Sequence, residues 1–210
     1  MTAPTSREQM QGRLIAAAER LLADGVTFPQ ITVSRLVKEA GITRSWFYVH
    51  FKDKSDVLSA WFASIRRDLV EVDDDWWAIG AEASEVDLRV ALRRITLAYH
   101  PHNLMMAAMY DQAAIDASTR AEVEEIERHR IARLEAHIID GQAGGWVDPV
   151  LLPAETAAWL TYTGARGYQQ MVESEGASID EFVERYARHV WLVLYEHAPS
   201  RTGADDRPAD

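Results

Sequence analysis

The residues whose types and spacing suggest a chemical role lie between positions 31 and 58, in the run ITVSRLVKEAGITRSWFYVHFKDKSDVL. Thr32 and Thr43 each precede a short helical pattern as N-cap residues, and Gly41 stands where the chain must reverse between the two. Two helices joined by a short turn that contains Gly form the helix-turn-helix pattern, whose second helix enters the major groove of DNA. Basic and aromatic residues that follow strengthen this interpretation: Phe47, Tyr48, His50, Phe51, Lys52 and Lys54.

Other kinds of chemistry have no comparable support in the sequence. The absence of Cys excludes disulfides, thiolate metal sites and a cysteine nucleophile. The sequence has no nucleophile–base motif, Gly-rich phosphate loop or His/carboxylate metal motif, so we expect neither an enzyme nor a cofactor. The histidines at 100, 102, 129 and 137 are interpreted as solvated surface residues, with a metal site as the alternative.

The charge distribution is compatible with DNA binding although the net charge of -11 is not. Residues 1–54 hold eight Lys or Arg against five Asp or Glu, which leaves a charge of -14 on the remainder. A basic head on an acidic body orients itself on a polyanion. No apolar run approaches the roughly 20 residues of a membrane span, and no signal-peptide core is present, so we expect a cytoplasmic protein.

Apolar periodicity predicts an all-α protein of about nine helices. The predicted domains are a helix-turn-helix DNA-binding domain at 1–53, a second helical domain at 54–197, and a disordered polar tail at 198–210. The predicted helices span 7–23, 32–39, 43–49, a longer segment from 54, and then 86–99, 103–116, 119–141, 154–174 and 179–197.

The last two predicted helices carry the pattern of a subunit interface. The final helix is apolar on more than one side, and the helix before it is rich in small residues. A helix that is apolar on two sides needs two partners, so we expect a homodimer in which Val190 and Leu194 face the second subunit. The alternative is a helix buried centrally within one domain.

Residues 8–58 resemble the TetR (tetracycline repressor-like) family of bacterial one-component regulators. The resemblance rests on the run quoted above and on the preceding helix, whose apolar stripe is formed by Leu14, Ala18, Leu21 and Leu22. The later segments are similar to the subgroup that contains the repressor of an ethionamide-activating monooxygenase. The resemblance implies an N-terminal DNA-binding domain, a C-terminal helical domain for ligand binding and dimerisation, and a repressor that leaves a palindromic operator when its ligand binds.

The resemblance also implies roles for individual residues. Four residues are placed towards base edges: Thr43, Arg44, Ser45 and Trp46. Three more are placed towards phosphates: Tyr48, His50 and Lys54. Arg suits guanine O6 and N7, whereas the Lys ammonium and the Tyr hydroxyl suit phosphate. Trp46 either contacts a thymine methyl or deoxyribose, or turns inward to the core. Thr32 and Arg35 are expected near the DNA backbone, with an N-cap and a solvated charge as the alternatives.

For the C-terminal domain the resemblance implies a small, mostly apolar effector. The candidate ligand-binding residues are Trp77, Tyr99, Met105, Met106, Met109, Tyr110, Trp159, Tyr162, Thr163 and Arg166. Clustered Met gives an adaptable apolar surface, and we expect it to line one cavity with the segment 159–166. A packed core is the alternative for each of these residues, and Arg166 either binds a ligand carboxylate or pairs with an acid at the dimer interface.

Two other functions stay open at this stage. One is an all-α small-molecule carrier or enzyme that uses the helix pair only for packing. The other is a nucleoid-type DNA binder without a ligand, for which a dry, fully packed C-terminal core would argue.

Overall fold

The computed structural model describes residues 6–174, 176 and 178–202, and of residues 66–74, 173 and 202 it describes only the backbone. Within these residues the regular elements are all helices, and none is a strand. The α-helices are α1 (Ser6–Ala23), α2 (Val33–Ala40), α3 (Arg44–His50), α4 (Lys54–Trp77), α5 (Glu85–Tyr99), α6 (Asn103–Ala113), α7 (Ala117–Ala143), α8 (Pro153–Glu173), α9 (Ile179–Leu194) and α10 (Pro199–Thr202). Two short 3-10 turns occupy Phe28–Gln30 and His100–His102.

The prediction of an all-α fold is confirmed, and each predicted helix corresponds to an observed one. Polar caps explain where several helices begin. Ser84 accepts a hydrogen bond from the backbone N–H of Asp87 at the start of α5, and Ser178 caps α9 in the same way. None of the described helices is both long and apolar enough to cross a membrane.

The helices pack into two compact units. The first takes in the chain up to Asp68 together with Pro101–Glu125, and the second takes in Leu69–His100 and the chain from Ile126 onwards. The division therefore falls inside α4 and α7, and the predicted end of the DNA-binding domain before residue 54 stays a prediction. The first unit contains the predicted helix-turn-helix segment and also α6.

In the first unit, α1 packs against α2 and α6, and α2 packs against α3. The α1 stripe of Leu14, Ala18 and Leu21 is buried, as its helical spacing predicts. Helices as short as α2 and α3 are marginal in isolation, so this small core must stabilise them. Its largest fully buried side chains are Leu14, Phe28, Ile31, Leu36, Phe47, Leu58, Trp61, Met105 and Met109.

In the second unit, α9 packs against both α5 and α8. The apolar core is continuous and includes Leu88, Leu134, Val190 and Leu194, which are all 1% exposed or less. Three ion pairs join α5 to α9 across its rim: Arg89–Glu184 at 2.8 Å, Arg93–Asp180 at 2.7 Å and Arg188–Glu85 at 2.8 Å.

The burial of Val190 and Leu194 corrects the prediction that these residues face a second subunit. Both are fully buried inside the second unit. The apolar pattern on two sides of α9 has two partners there already, since α5 and α8 pack on it. For these two residues the alternative interpretation, a centrally buried helix, holds.

The polar tail also begins later than predicted. Ala198 is buried, and Pro199–Thr202 forms the single turn α10. The Arg201 guanidinium donates to the carbonyls of Ala81 and Ala83 and lies 4.5 Å from the ring centroid of Trp191. The prediction of disorder is therefore wrong for residues 198–202. The contacts of Arg201 with the Trp191 ring and with two backbone carbonyls hold this segment in a helical turn. Residues 203–210 lie outside the described residues.

Candidate nucleic-acid interface

The turn between α2 and α3 has the geometry that a reading helix requires. The Thr32 hydroxyl accepts a hydrogen bond from Arg35 N at 3.2 Å, and the Thr43 hydroxyl accepts one from Trp46 N at 3.1 Å. Gly41 is left-handed, with φ 63° and ψ 40°, a conformation that costs a residue with a Cβ about 1 kcal/mol or more. These contacts satisfy the helix ends and set the direction in which α3 leaves the turn.

One side of α3 is buried and the other is exposed. Phe47 is fully buried in the first unit, whereas Thr43, Arg44 and Ser45 in the first turn are exposed. Tyr48 follows one turn after Arg44, and 53% of its surface is exposed. A long cation, two hydroxyls and a phenol on one short helical face form a donor-rich surface suited to base edges and phosphates. Thr32 and Arg35, at the start of α2, are exposed as well.

Trp46 and His50 pack against each other on α3. Their ring centroids are 4.3 Å apart, and Trp46 also lies 6.3 Å from the ring of Phe51. Both residues are half-buried. This geometry favours the alternative in which the Trp46 side chain turns inward to the core. The indole of Trp46 packs against the imidazole of His50. Their predicted DNA contacts stay predictions.

Lys54 has a structural role that its sequence position does not reveal. Its Nζ donates to the carbonyl oxygens of Phe28 at 2.7 Å and Pro29 at 2.9 Å, and it lies 4.8 Å from the ring centroid of Phe28. Burial lowers the pKa of Lys54, and the nearby Asp53 carboxylate opposes that shift. Lys54 therefore ties the 3-10 turn to the start of α4, and at most one of its three N–H donors is left for a phosphate.

The predicted ligand-binding residues divide between the two units. Met105 and Met109 are buried in the core of the first unit, and Met106 and Tyr110 on the same helix are half-buried. All four belong to α6, which packs on α1 and on the 3-10 turn Phe28–Gln30. For Met105 and Met109 the packing role is the observed one.

In the second unit, the half-buried rings of Trp77 and Tyr99 each lie beside an Arg of α7. The Arg133 guanidinium is 5.7 Å from the ring centroid of Trp77, and that of Arg130 is 4.8 Å from the ring centroid of Tyr99. Tyr168 lies near the end of α5 as well, with its hydroxyl 3.2 Å from His100 Nδ1. Each of these aromatic rings in the second unit thus has a basic side chain beside it.

The α8 candidates lie on the surface of the second unit. Trp159 is 70% exposed and Tyr162 48% exposed, and Thr163 and Arg166 are exposed as well. The Thr163 hydroxyl donates to the carbonyl of Trp159, and the Arg166 guanidinium donates to Gln169, so both bond within α8. Trp159 and Thr163 border an open groove of about 360 Å³, together with Val150, Leu152, Leu160, His189 and Val193. These α8 side chains therefore border an open groove, and their predicted contacts with a ligand stay predictions.

A buried polar network in the second unit was not predicted at all. His137 Nε2 is 2.8 Å from the Tyr195 hydroxyl, and Trp76 Nε1 donates to the same oxygen at 3.3 Å. His137 is 7% exposed, and burial lowers its pKa to about 4, opposed in part by Asp140. Burial raises the pKa of Tyr195. The interpretation of His137 as a surface residue is therefore wrong. The sequence shows the i, i+4 spacing of His137 from Arg133. It does not show the hydrogen-bond partner of His137, because Tyr195 is 58 residues away.

α2, the left-handed turn at Gly41 and α3 with its exposed face have the geometry of a helix-turn-helix segment. Residues 14–61 match the family model for bacterial regulatory proteins of the tetR family. The fatty acid metabolism regulator protein of Bacillus subtilis is 24% identical over 133 residues, covering 63% of this chain and 68% of that protein. The uncharacterized HTH-type transcriptional regulator TtgW of Pseudomonas putida is 39% identical over 72 residues, covering 34% of this chain and 52% of TtgW.

Solved structures share the fold over most of the chain. A TetR-family regulator from Rhodococcus sp. superimposes with a TM-score of 0.69 at 19% identity, covering 89% of this chain and 98% of the other. A transcriptional regulator from Saccharomonospora viridis in complex with choline gives a TM-score of 0.67 at 17% identity over the same shares. Residues 14–61 thus match the tetR-family model, and the described chain shares the fold of these regulators. The finer resemblance to the ethionamide-monooxygenase repressor subgroup stays a prediction.

Proposed function

We propose that this chain is a ligand-released repressor that binds a palindromic operator as a homodimer. The observation that carries the proposal is the two-sided character of α3. Phe47 holds one side in the core while Arg44, Ser45 and Tyr48 stand exposed on the other. Such a helix presents base-reading and phosphate-binding groups from a rigid support, which is how helix-turn-helix proteins read the major groove.

The surface of α8 and the segment before it supports the homodimer. Val150 is 85% exposed, Leu152 64% and Trp159 70%, and these side chains border the same groove. Large apolar residues grouped in this way mark an interaction surface, and a two-fold dimer uses one such patch twice. The proposed interface therefore lies on Trp159 and its neighbours, and not on Val190 and Leu194.

The half-buried aromatic residues of the second unit support a small, mostly apolar effector. Trp77, Tyr99 and Tyr168 combine apolar rings with polar edges, the mixture typical of ligand sites. One relative is named for fatty acid metabolism, and one solved neighbour holds choline. Fatty acids, their esters and choline are therefore the first compounds to screen. A tenfold loss of operator affinity requires that the effector prefer the non-binding state by about 1.4 kcal/mol.

The DNA-binding part is tested by selecting duplexes from a random pool with the purified chain. We expect an inverted repeat whose half-sites are separated by about one helical turn. Arg44→Ala should lose about 1–3 kcal/mol of discrimination at one base pair in each half-site. Arg185→Ala, an exposed cation in the second unit, is the control for the loss of one positive charge. Selection that enriches no sequence would refute specific operator binding.

The dimer is tested with Trp159→Glu, which places a charge on the exposed patch without touching the core. We expect a folded monomer in light scattering and a large loss of operator affinity, because one half-site alone binds weakly. Ile115→Glu is the control, since Ile115 is 71% exposed in the first unit and should leave the dimer intact. A folded Trp159→Glu protein that stays dimeric would place the interface elsewhere.

A further inference from the structure

Two serines one turn apart on α4 each form a hydrogen bond with a different helix. Ser55 Oγ accepts a hydrogen bond from Gln112 Nε2 of α6 at 3.0 Å. Ser59 Oγ donates to Glu122 Oε1 of α7 at 2.6 Å. All four residues belong to the first unit, and the i, i+4 spacing places both serines on one face of α4. We refer to Ser55, Ser59, Gln112 and Glu122 as the α4 clasp.

The first turn of α4 is joined closely to the end of α3. Only residues 51–53 separate His50 from Lys54, and Phe51 in this connection is buried. The backbone N–H of Lys52 donates to the Asp56 carboxylate at 2.6 Å, and the N–H of Ser55 donates to Asp53 at 2.8 Å. Because the connection is short and hydrogen-bonded to α4, the position of the end of α3 depends on the position of the first turn of α4.

The hydrogen bonds of the α4 clasp restrict how the first turns of α4 can shift against α6 and α7. Apolar contacts are tolerant of small sliding movements, whereas a buried hydrogen bond is lost within a few tenths of an ångström. Ser55 is 7% exposed and Gln112 is 6% exposed, so neither has water to replace a lost partner. The pair thereby specifies where α6 and the start of α4 lie relative to each other within the first unit.

The bonding of Gln112 is incomplete, which is unusual for a buried amide. Its Oε1 atom has no hydrogen-bond partner in the described structure, while its Nε2 is bonded to Ser55. If only packing mattered, Gln112 and Ser55 could both be replaced by apolar side chains of the same shape at little cost. A half-satisfied Gln that keeps one cross-helix bond points to a role for that bond.

We propose that Gln112, through Ser55, is a positioning residue for operator binding, which orients α3 without touching DNA. This inference rests on the proposed function, since it concerns the same reading helix. A reading helix held in one orientation binds its site without an ordering cost. Loss of the clasp should let α3 vary in orientation and weaken sequence-specific binding, while binding to random DNA through the same cations is retained.

The experiment uses the full chain and the duplex selected by the wild-type protein. Gln112→Met keeps the side-chain volume and removes the hydrogen bond, and Ser55→Ala removes the other partner. Each should lower operator affinity about 30-fold, since a dimer loses one hydrogen bond in each subunit, about 2 kcal/mol in all. Affinity for random DNA should stay close to wild type, whereas the thermal midpoint should fall by a few degrees, because each single variant leaves a buried polar group without its partner. Ser55→Ala combined with Gln112→Met should lose no more affinity than either change alone.

Ser64→Ala is the matched control on the same helix, because the Ser64 hydroxyl donates only to the Trp61 carbonyl of its own helix. It should bind operator as the wild type does. Unchanged operator affinity in folded Gln112→Met, equal losses on operator and random DNA, or fully additive losses in the double variant would each overturn the inference. If wild-type protein selects no sequence, the proposed function fails and not this inference alone. Should Gln112→Met not fold, Ser55→Ala decides the question.

Discussion

The two compact units depend on different kinds of interaction. In the first, short helices are specified by backbone geometry: the caps Thr32 and Thr43, the left-handed Gly41, and the Lys54 ammonium on two carbonyls. In the second, longer helices are joined by aromatic rings, a buried His–Tyr pair and ion pairs at the rim. We therefore expect the first unit to be sensitive to a few backbone positions and the second to changes in its interior.

The largest effect should come from a charge in the interior of the second unit. Leu194→Asp removes a fully buried apolar side chain and places a carboxylate among apolar neighbours. The expected loss is about 5 kcal/mol or more, enough to abolish the folded state. Circular dichroism of the purified protein measures it. Val90→Asp on α5 is the control, because Val90 is 53% exposed, and its cost should be within about 0.5 kcal/mol. A folded Leu194→Asp protein would contradict the expectation that the second unit is sensitive to changes in its interior.

The next effect is the pH dependence of His137. Its folded pKa of about 4 lies below its ordinary value of 6.5, so the folded state favours the neutral ring. The unfolded chain binds the proton first as the pH falls, and stability is present above pH 6.5 and is lost as the pH falls towards 4. The full difference is about 3 kcal/mol.

Denaturant titrations between pH 7 and pH 4 measure this dependence. His137→Gln should remove it, and His129→Gln, at an exposed position of the same helix, should not. If His137→Gln leaves the slope of stability against pH unchanged, other groups are responsible for it.

A smaller effect is expected at the turn before α3. Gly41→Ala forces a Cβ into the left-handed region at φ 63°, and the new atom would lie 2.6 Å from Arg13 Nη2, the movable end of a long side chain. The expected cost is about 1–2 kcal/mol of unfolding free energy, with weaker operator binding because α3 is redirected. Gly12→Ala in α1 meets nothing within 4 Å and should be neutral or slightly stabilising. Equal stability of the two variants would contradict the dependence on backbone geometry.

The smallest effect should come from the ion pairs at the rim of the second unit. Arg93 and Asp180 are 2.7 Å apart, but their side chains are 51% and 68% exposed. Water and salt screen such a pair, so Arg93→Ala should cost about 0.5 kcal/mol or less, and less still at 1 M salt. A loss above about 1.5 kcal/mol would show that the ion pairs act as a network and would sharpen the contrast with the first unit.

The parts of the structure that depend on local signals could be predicted from the sequence. Thr43 and Gly41 mark helix ends through their own chemistry, and the spacing of Leu14, Ala18 and Leu21 identifies a buried stripe. The helix-turn-helix segment and the all-α fold follow from such signals.

What could not be predicted depends on partners distant in the chain. Lys54 has the composition and position of a phosphate ligand, and only the fold reveals the carbonyls of Phe28 and Pro29 beneath it. Periodicity places His137 on a helix but does not reveal Tyr195, and it does not say that α5 and α8 both cover α9. Trp159, which the pattern places in a cavity, is therefore exposed. Leu194, which the pattern places on the surface of a subunit, is buried.

The contact of Arg201 with the carbonyls of Ala81 and Ala83 has a consequence for synthesis on the ribosome. It joins positions about 120 residues apart, and Ser200 N also donates to the Gly145 carbonyl. The first unit has all of its residues once Glu125 has been synthesised, whereas the contacts of Ser200 and Arg201 in the second unit require the chain up to α10. At the usual 5–20 residues per second, residues 126–202 take roughly 4–15 s to synthesise, and during that time the first unit has all of its residues while the second lacks these contacts.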